Sequence, residues 1–323
     1  MISRRILRTK VLQTIYSYYQ SSNTSINNAE KELFHSIEKS YDLYFYLLLV
    51  IQDVLKYADS RFELGRQKLI PTLTDLNPNT KLLSNKLVAQ LAENKQLNTH
   101  LSRVKMSWVN HPELIKKLYN DFNDSAAMQD YLNSNDNSYA ADKKIIIYFY
   151  EEILYNTEML YQILEEQSIY WIDSVEFIIS MVIKSLNKFQ IGYDQTFPLL
   201  SMFKNDDDKE FVKTLFRKTV LNKDKYREII ASHSKHWDFD RIAFLDTLIL
   251  QLALTEIIEF PDIPINVSFN EYLEISKQYS TSKSSAFING ILDKIIQGLI
   301  KDEVIKKAGK GLLNESVFND SNE

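Results

Sequence analysis

Residues 240 to 259, DRIAFLDTLILQLALTEIIE, have a helical pattern with almost no polar side. At 100° per residue, Ile242, Leu245, Ile249, Leu250, Leu252, Ala253 and Ile257 fill more than half of the circumference. A helix apolar most of the way round must be covered on several sides, so it is the centre of a helical domain and not a surface element. One residue breaks the pattern: Asp246 projects from the middle of the apolar arc. A carboxylate there costs several kcal/mol unless it is paired or hydrogen-bonded. It either ties down a neighbouring helix end or arginine, or lies at a groove where a ligand arrives.

The rest of the chain agrees with an all-α fold. Only 6 Gly and 6 Pro in 323 residues leave too few turn residues for an all-β sandwich. No apolar run reaches the roughly 18 residues of a membrane span, and Arg4, Arg5, Arg8 and Lys10 interrupt any signal-peptide core at the start. A cytoplasmic protein without membrane attachment is expected. The lack of cysteine excludes disulfides, thiolate metal sites and cysteine nucleophiles.

A net charge of −5 makes the chain as a whole a poor partner for polyanions, but the charge is unevenly placed. Residues 1 to 29 contain no Asp or Glu and carry Arg4, Arg5, Arg8 and Lys10, which suggests one confined phosphate site. Residues 3 to 20 read as a helix capped by Ser3. Leu7, Val11, Ile15 and Tyr18 form its core stripe, and Arg5, Arg8, Leu12, Tyr16 and Tyr19 the adjoining flank. Cations at a helix start oppose the helix dipole. Arginines beside aromatics suit single-stranded RNA, where guanidinium groups hold phosphates and rings stack on bases. Equally, they suit a solvated arginine edge over core tyrosines.

Further helices are expected over 29 to 58, in 80 to 106, and over 112 to 134, 140 to 167, 168 to 189, 208 to 221 and 222 to 234. Then come helices from about 240 to 259, 267 to 279, and 284 past 296, with start signals at Pro264 and at Ser282 or Ser284. The organisation expected is a first helix in 1–22, a helical insertion in 23–204, a core in 205–300 and a flexible tail in 301–323. No phosphate-cradling glycine loop occurs. His233 and His236 have helical spacing but no carboxylate pattern, so no metal site is expected, and Glu151-Glu152 and Glu165-Glu166 read as solvated faces. No catalytic residue and no cofactor are expected. The segment STSKSS, 280 to 285, is a small polar loop at a helix start, where backbone N–H groups attract phosphate and Lys283 adds charge. Phe287 either stacks on a base or packs in the core. Gly290, following Asn289, costs the helix about 1 kcal/mol against alanine, so either close helix approach or ligand access compensates.

The C-terminal third resembles the NusB family of bacterial antitermination factors. The family's signature opens P-x-x-V-x-x-N-E and continues through a helix and a short polar loop to F-V-N-G-V-L-D-K. The matching residues are Pro264, Val267, Asn270, Glu271, Phe287, Ile288, Asn289, Gly290, Ile291, Leu292, Asp293 and Lys294. FLDTLILQLALTEI is similar to the preceding family helix, with Asp246 and Glu256 on its acidic positions. The first helix resembles R-R-x-x-R-x-x-A-x-Q-x-L-Y at Arg4, Arg5, Arg8, Gln13, Ile15 and Tyr16. The chain departs from the pattern at Gln251 (usually Arg), Thr255 (usually Tyr) and Lys283 (commonly Asp).

The resemblance implies a NusB-like helical bundle with a large α-helical insertion between the first helix and the C-terminal core. It implies a non-enzymatic factor that binds boxA-like single-stranded ribosomal RNA together with the ribosomal protein NusE, and through it acts on RNA polymerase. Arg4, Arg5, Arg8, Lys10, Tyr16, Lys283, Phe287 and Asn289 would contact RNA, while Asp246, Glu256 and Glu271 would be structural or lie at the site. The basic start and the serine-rich turn should then meet in one cradle, and Arg5→Ala with Arg8→Ala should weaken RNA binding without harming the fold. Two alternatives stand beside this. One is a helical interaction scaffold that works through the insertion, without RNA sequence specificity. The other is an RNA methyltransferase sharing the fold, which would need a glycine-rich cofactor loop and usually a cysteine, and the sequence offers neither.

Overall fold

A computed structural model describes residues 2–21, 25–233 and 242–312, all with their side chains except that of Ser282. Among these residues every regular element is a helix. They gather into two compact units, 38–202 and 2–37 with 203 onward.

In chain order the α-helices are α1 (Arg4–Gln20), α2 (Ile26–Arg66), α3 (Leu73–Leu76), α4 (Lys86–Glu93), α5 (Lys95–Val104), α6 (Pro112–Asn123), α7 (Ala126–Asn133), α8 (Tyr139–Tyr148), α9 (Glu158–Gln167) and α10 (Val175–Lys188). After them come α11 (Asp206–Leu221), α12 (Lys223–His233), α13 (Phe244–Glu259), α14 (Ile265–Tyr279) and α15 (Ser282–Lys301). The expected starts hold for several of these. Ser3 Oγ accepts from the Ile6 amide at the head of α1, and Pro112 opens α6. α15 is capped by Thr281, whose hydroxyl accepts from the Ser284 amide, just ahead of the start signals expected at Ser282 or Ser284. α13 begins at Phe244, later than the expected 240; Asp240 and Arg241 lie outside the described residues, as do His236, Trp237 and Asp238.

The unit of residues 38–202 is built on the middle of α2, where every residue from Leu43 to Ile51 is buried. A helix buried all round needs partners for its side chains on each side. Tyr46 stacks on Trp108 with centroids 3.8 Å apart, Phe45 stacks on His100, and Tyr150 donates to the Leu47 carbonyl. Tyr150 sits in a π-turn, Phe149–Leu154, that follows α8. The helix expected over 29 to 58 is present and longer, and it is buried on a further side through Leu43, Leu47, Val50 and Val54.

Asp42 ties this unit together by accepting from His100 Nε2 at 2.8 Å and Lys39 Nζ at 3.0 Å. Burial opposes its charge, but the hydrogen bonds from His100 and Lys39 win and hold its pKa below 3.8. A carboxylate depressed in the folded state gives stability that is present above its unfolded pKa, roughly 3.9, and lost as pH falls through the lower folded value. Denaturant titrations should therefore show this unit weakening below about pH 4. Asp42→Asn should flatten that part of the profile; an unchanged acid limb would rule out the linkage.

In the other unit α13 is the centre, packed against α1, α11, α12, α14 and α15. Leu248 to Ile257 are all buried, as the apolar pattern requires. The first turns of α2 belong here: Ala29, Leu33 and Ile37 are buried, and Arg217 on α11 pairs with Glu30. The expected boundary at residue 23 therefore differs from the division observed, 37/38. The expected flexible tail is docked as far as Leu312. The Ala308 amide donates to the Pro261 carbonyl, and Gly311 lies so close that a Cβ would stand 1.9 Å from that oxygen. Residues 313–323 lie outside the described residues.

Candidate nucleic-acid interface

The basic start of α1 is matched by acids from far along the chain. Arg8 Nε and Nη2 donate to the two oxygens of Glu256 at 2.7 and 2.6 Å. Ser268 and Tyr272 donate to the same carboxylate at 2.8 and 3.0 Å, so about four acceptor positions of a buried carboxylate are filled. Burial works against the Arg8 charge, yet the Glu256 hydrogen bonds and charge outweigh it and raise its pKa further. Arg5 grips Glu271 with two bonds, 2.8 and 3.0 Å, and Arg4 bonds Asp208 at 2.9 Å. The guanidinium groups of Arg4 and Arg8 both lie over the Phe211 ring, 4.9 and 5.4 Å from its centroid.

This corrects part of the sequence reading. Arg8 and Lys10 are each only 2% exposed and are interior residues, not surface cations. The acid-free N-terminus is a structural complement: three arginines of α1 meet carboxylates on α11, α13 and α14. The double change Arg5→Ala with Arg8→Ala, expected to spare the fold, removes at Arg8 the partner of a buried charge. Arg4 and Arg5 keep 41% and 51% side-chain exposure in their pairs. Such pairs contribute little to stability and are open to competition by a phosphate.

The register of α1 on α14 decides whether the basic start meets the serine-rich turn. Arg5 pairs with Glu271, and Gln13 donates to the Tyr279 hydroxyl at 3.0 Å. Each step is eight residues (5 to 13, 271 to 279), so the helices run the same way and the two contacts are roughly 12 Å apart. The turn at Ser280–Thr281 therefore lies about 12 Å along α14 from the Arg5–Glu271 pair at the middle of that helix, and not against the arginines themselves. The turn meets α13 instead: Ser280 donates to buried Asp246 at 2.5 Å. Asp246 is thus a structural tie between helix ends. Tyr16, 43% exposed, lies against Phe244 at the start of α13, with centroids 5.8 Å apart.

The exposed positions are on α15. Lys283, Asn289 and Lys294 are exposed and Phe287 is half-buried, with Ala286 and Gly290 open between them. Lys283, Ala286, Phe287, Gly290 and Lys294 recur at helical spacing and form one face. The two glycines of α15 differ. A Cβ on Gly298 would meet His233 Nε2 at 2.7 Å, so packing accounts for it, whereas a Cβ on Gly290 would meet nothing within 4 Å. Close helix approach does not explain Gly290. Lys294 and Gly290 were named in the sequence motif but not as site residues; continuing the stripe from Lys283 through Phe287 identifies both.

Among the described residues no group of three or more His, Asp or Glu is arranged to hold a metal, and no helix is long and apolar enough to cross a membrane. These features define a class: an all-α protein whose basic first helix is ion-paired into the core, with a lysine- and aromatic-bearing helix face left open. The profile described as the NusB family matches residues 175–297, starting ahead of the 209 at which the sequence reading placed the resemblance.

Three relatives are each called transcription antitermination protein NusB. That of Salinibacter ruber is 38% identical over 105 residues, 32% of this chain and 66% of the relative. That of Natranaerobius thermophilus is 34% identical over 128 residues, 40% of this chain and 92% of the relative. That of Chloroherpeton thalassium is 36% identical over 106 residues, 33% of this chain and 50% of the relative. No solved structure matches. The chain belongs to the NusB family, as a long form with an additional helical unit.

Proposed function

We propose that this protein is a transcription antitermination factor that binds single-stranded RNA without catalysing a reaction. Its ligand would be a boxA-like segment of ribosomal RNA, held jointly with the ribosomal protein NusE and acting through it on RNA polymerase. The names of the relatives support antitermination. One observation carries the RNA assignment: the face of α15 formed by Lys283, Phe287, Gly290 and Lys294, with Asn289 beside it, is open to solvent although its glycine has no packing role. Lysines would hold phosphates, Phe287 would stack on a base, and Gly290 would let the sugar–phosphate chain approach the helix backbone. Tyr16, Arg4 and Arg5 remain secondary contacts; Arg8 and Lys10 do not.

Gly290→Gln tests this. With nothing near its Cβ, the substitution should stabilise α15 by up to about 1 kcal/mol. The same side chain would fill the open face and weaken RNA binding about tenfold. Thermal melting and fluorescence anisotropy with labelled single-stranded RNA read the two effects separately. A variant that melts higher and binds RNA as tightly as the wild type would remove α15 from the RNA surface.

A further inference from the structure

We infer that a cavity between α12 and α13 receives one unstacked base of the bound RNA, with the adjoining phosphate on Lys223 and Arg227; this rests on the RNA reading above. The cavity is a half-open cleft of about 210 Å³, lined by Lys223 and Arg227 from α12 and by Ile242, Phe244, Leu248 and Gln251 from the segment leading through α13. That is room for about seven waters at roughly 30 Å³ each. It falls below the roughly 300 Å³ at which sites for larger ligands begin. The space suits a single base.

The lining matches a base with a phosphate beside it. Gln251 is 1% exposed, and its Nε2 is spent on the Lys223 carbonyl at 3.4 Å. Its Oε1 is buried with no partner among the described residues. That oxygen is closed to solvent in this arrangement and becomes reachable when the Gln251 side chain turns toward the cavity; each of the four RNA bases carries an N–H on its edge that could then meet it. Ile242 and Leu248 supply apolar walls. Phe244 is 40% exposed and is backed by Tyr16 and Tyr19, at 5.8 and 6.2 Å between centroids. It offers a supported ring for stacking.

The two cations of the lining give a phosphate its counter-charge. Lys223 Nζ is held 4.2 Å from the centre of the Tyr19 ring, and Arg227 is exposed. An aromatic side chain of a protein partner would bring no such charge. The family pattern usually has Arg where this chain has Gln251, so a set of donors has been exchanged here for an acceptor, and the base preference follows from this residue.

The experiment uses the full chain and short single-stranded RNAs of mixed sequence, each carrying one abasic nucleotide at a successive position. Wild type should lose about five- to tenfold in affinity when one particular base is missing. Gln251→Leu should bind intact RNA about as weakly as wild type binds that abasic RNA, and should lose little more when the base is removed. Arg227→Ala, at a surface site, should weaken intact RNA several-fold with unchanged melting, so the assignment remains testable even if Gln251→Leu folds poorly. If both variants bind like wild type while Lys283→Glu binds weakly, the cavity inference is overturned and the RNA reading stands. A flat abasic scan would also overturn it, and would point to a protein side chain as the occupant. If the wild type binds no RNA, both readings fall.

Discussion

Arg8→Ala should lower the unfolding free energy by about 3–5 kcal/mol, the loss expected when one partner of a buried ion pair is removed. Arg8 and Glu256 have side-chain exposures of 3% and 0%, so no water can take over the carboxylate. Ser268 and Tyr272 would still donate to Glu256, but two neutral bonds do not balance its charge in a dry site. Arg8→Lys should recover only part of the loss, since an ammonium cannot match the two parallel bonds of a guanidinium. Arg8→Met combined with Glu256→Gln should be milder than Arg8→Ala, because no buried charge is left without a partner. Equilibrium unfolding in denaturant measures all three. A loss below about 1 kcal/mol for Arg8→Ala would show that the buried pair is not formed as described.

Lys283→Glu with Lys294→Glu should have the largest effect on RNA binding and almost none on folding. Both side chains are exposed, so stability should change by no more than about 0.5 kcal/mol. Reversing two phosphate-facing charges should cost at least about tenfold in affinity, and the slope of log affinity against log salt should shrink by about 1.4, or 0.7 per lost contact on a single strand. Titrations at several salt concentrations separate this from a folding defect. An unchanged slope would mean that neither lysine meets a phosphate, and the α15 face would lose its role.

The centre of the C-terminal unit was legible because α13 is apolar on all sides, and only a fully covered helix tolerates that. The signature through Pro264, Glu271 and Asn289 placed α14 and α15 to within a few residues for the same reason: its start signals and helical periods coincide. The ion pairs of the N-terminal arginines are not legible in the sequence. A count of local charge sees no acid before residue 30, and nothing local shows that Asp208, Glu256 and Glu271 will fold back against that helix. The stretch of α2 that carries Tyr41, Tyr44 and Tyr46 is buried on more than one side, because Leu43, Leu47, Val50 and Val54 lie off the stripe that Tyr41 and Tyr44 share with Leu48 and Ile51; the tyrosines belong to the interior. In a core they bury their rings and find hydroxyl partners such as the Leu200 carbonyl, Ser185 and the Ser107 carbonyl. The cavity beside Gln251 left no linear trace, because an orphaned amide oxygen exists only once the helices are packed.

The ion pairs of α1 also set an order of events during synthesis. Asp208, Glu256 and Glu271 follow their arginines by 204, 248 and 266 residues. At about 5–20 residues per second, α1 waits tens of seconds on the ribosome with its guanidinium groups uncompensated, while residues 38–202 have time to assemble. A nascent chain halted before Glu256 would hold a first helix that cannot yet dock, and one terminated there would leave it stranded.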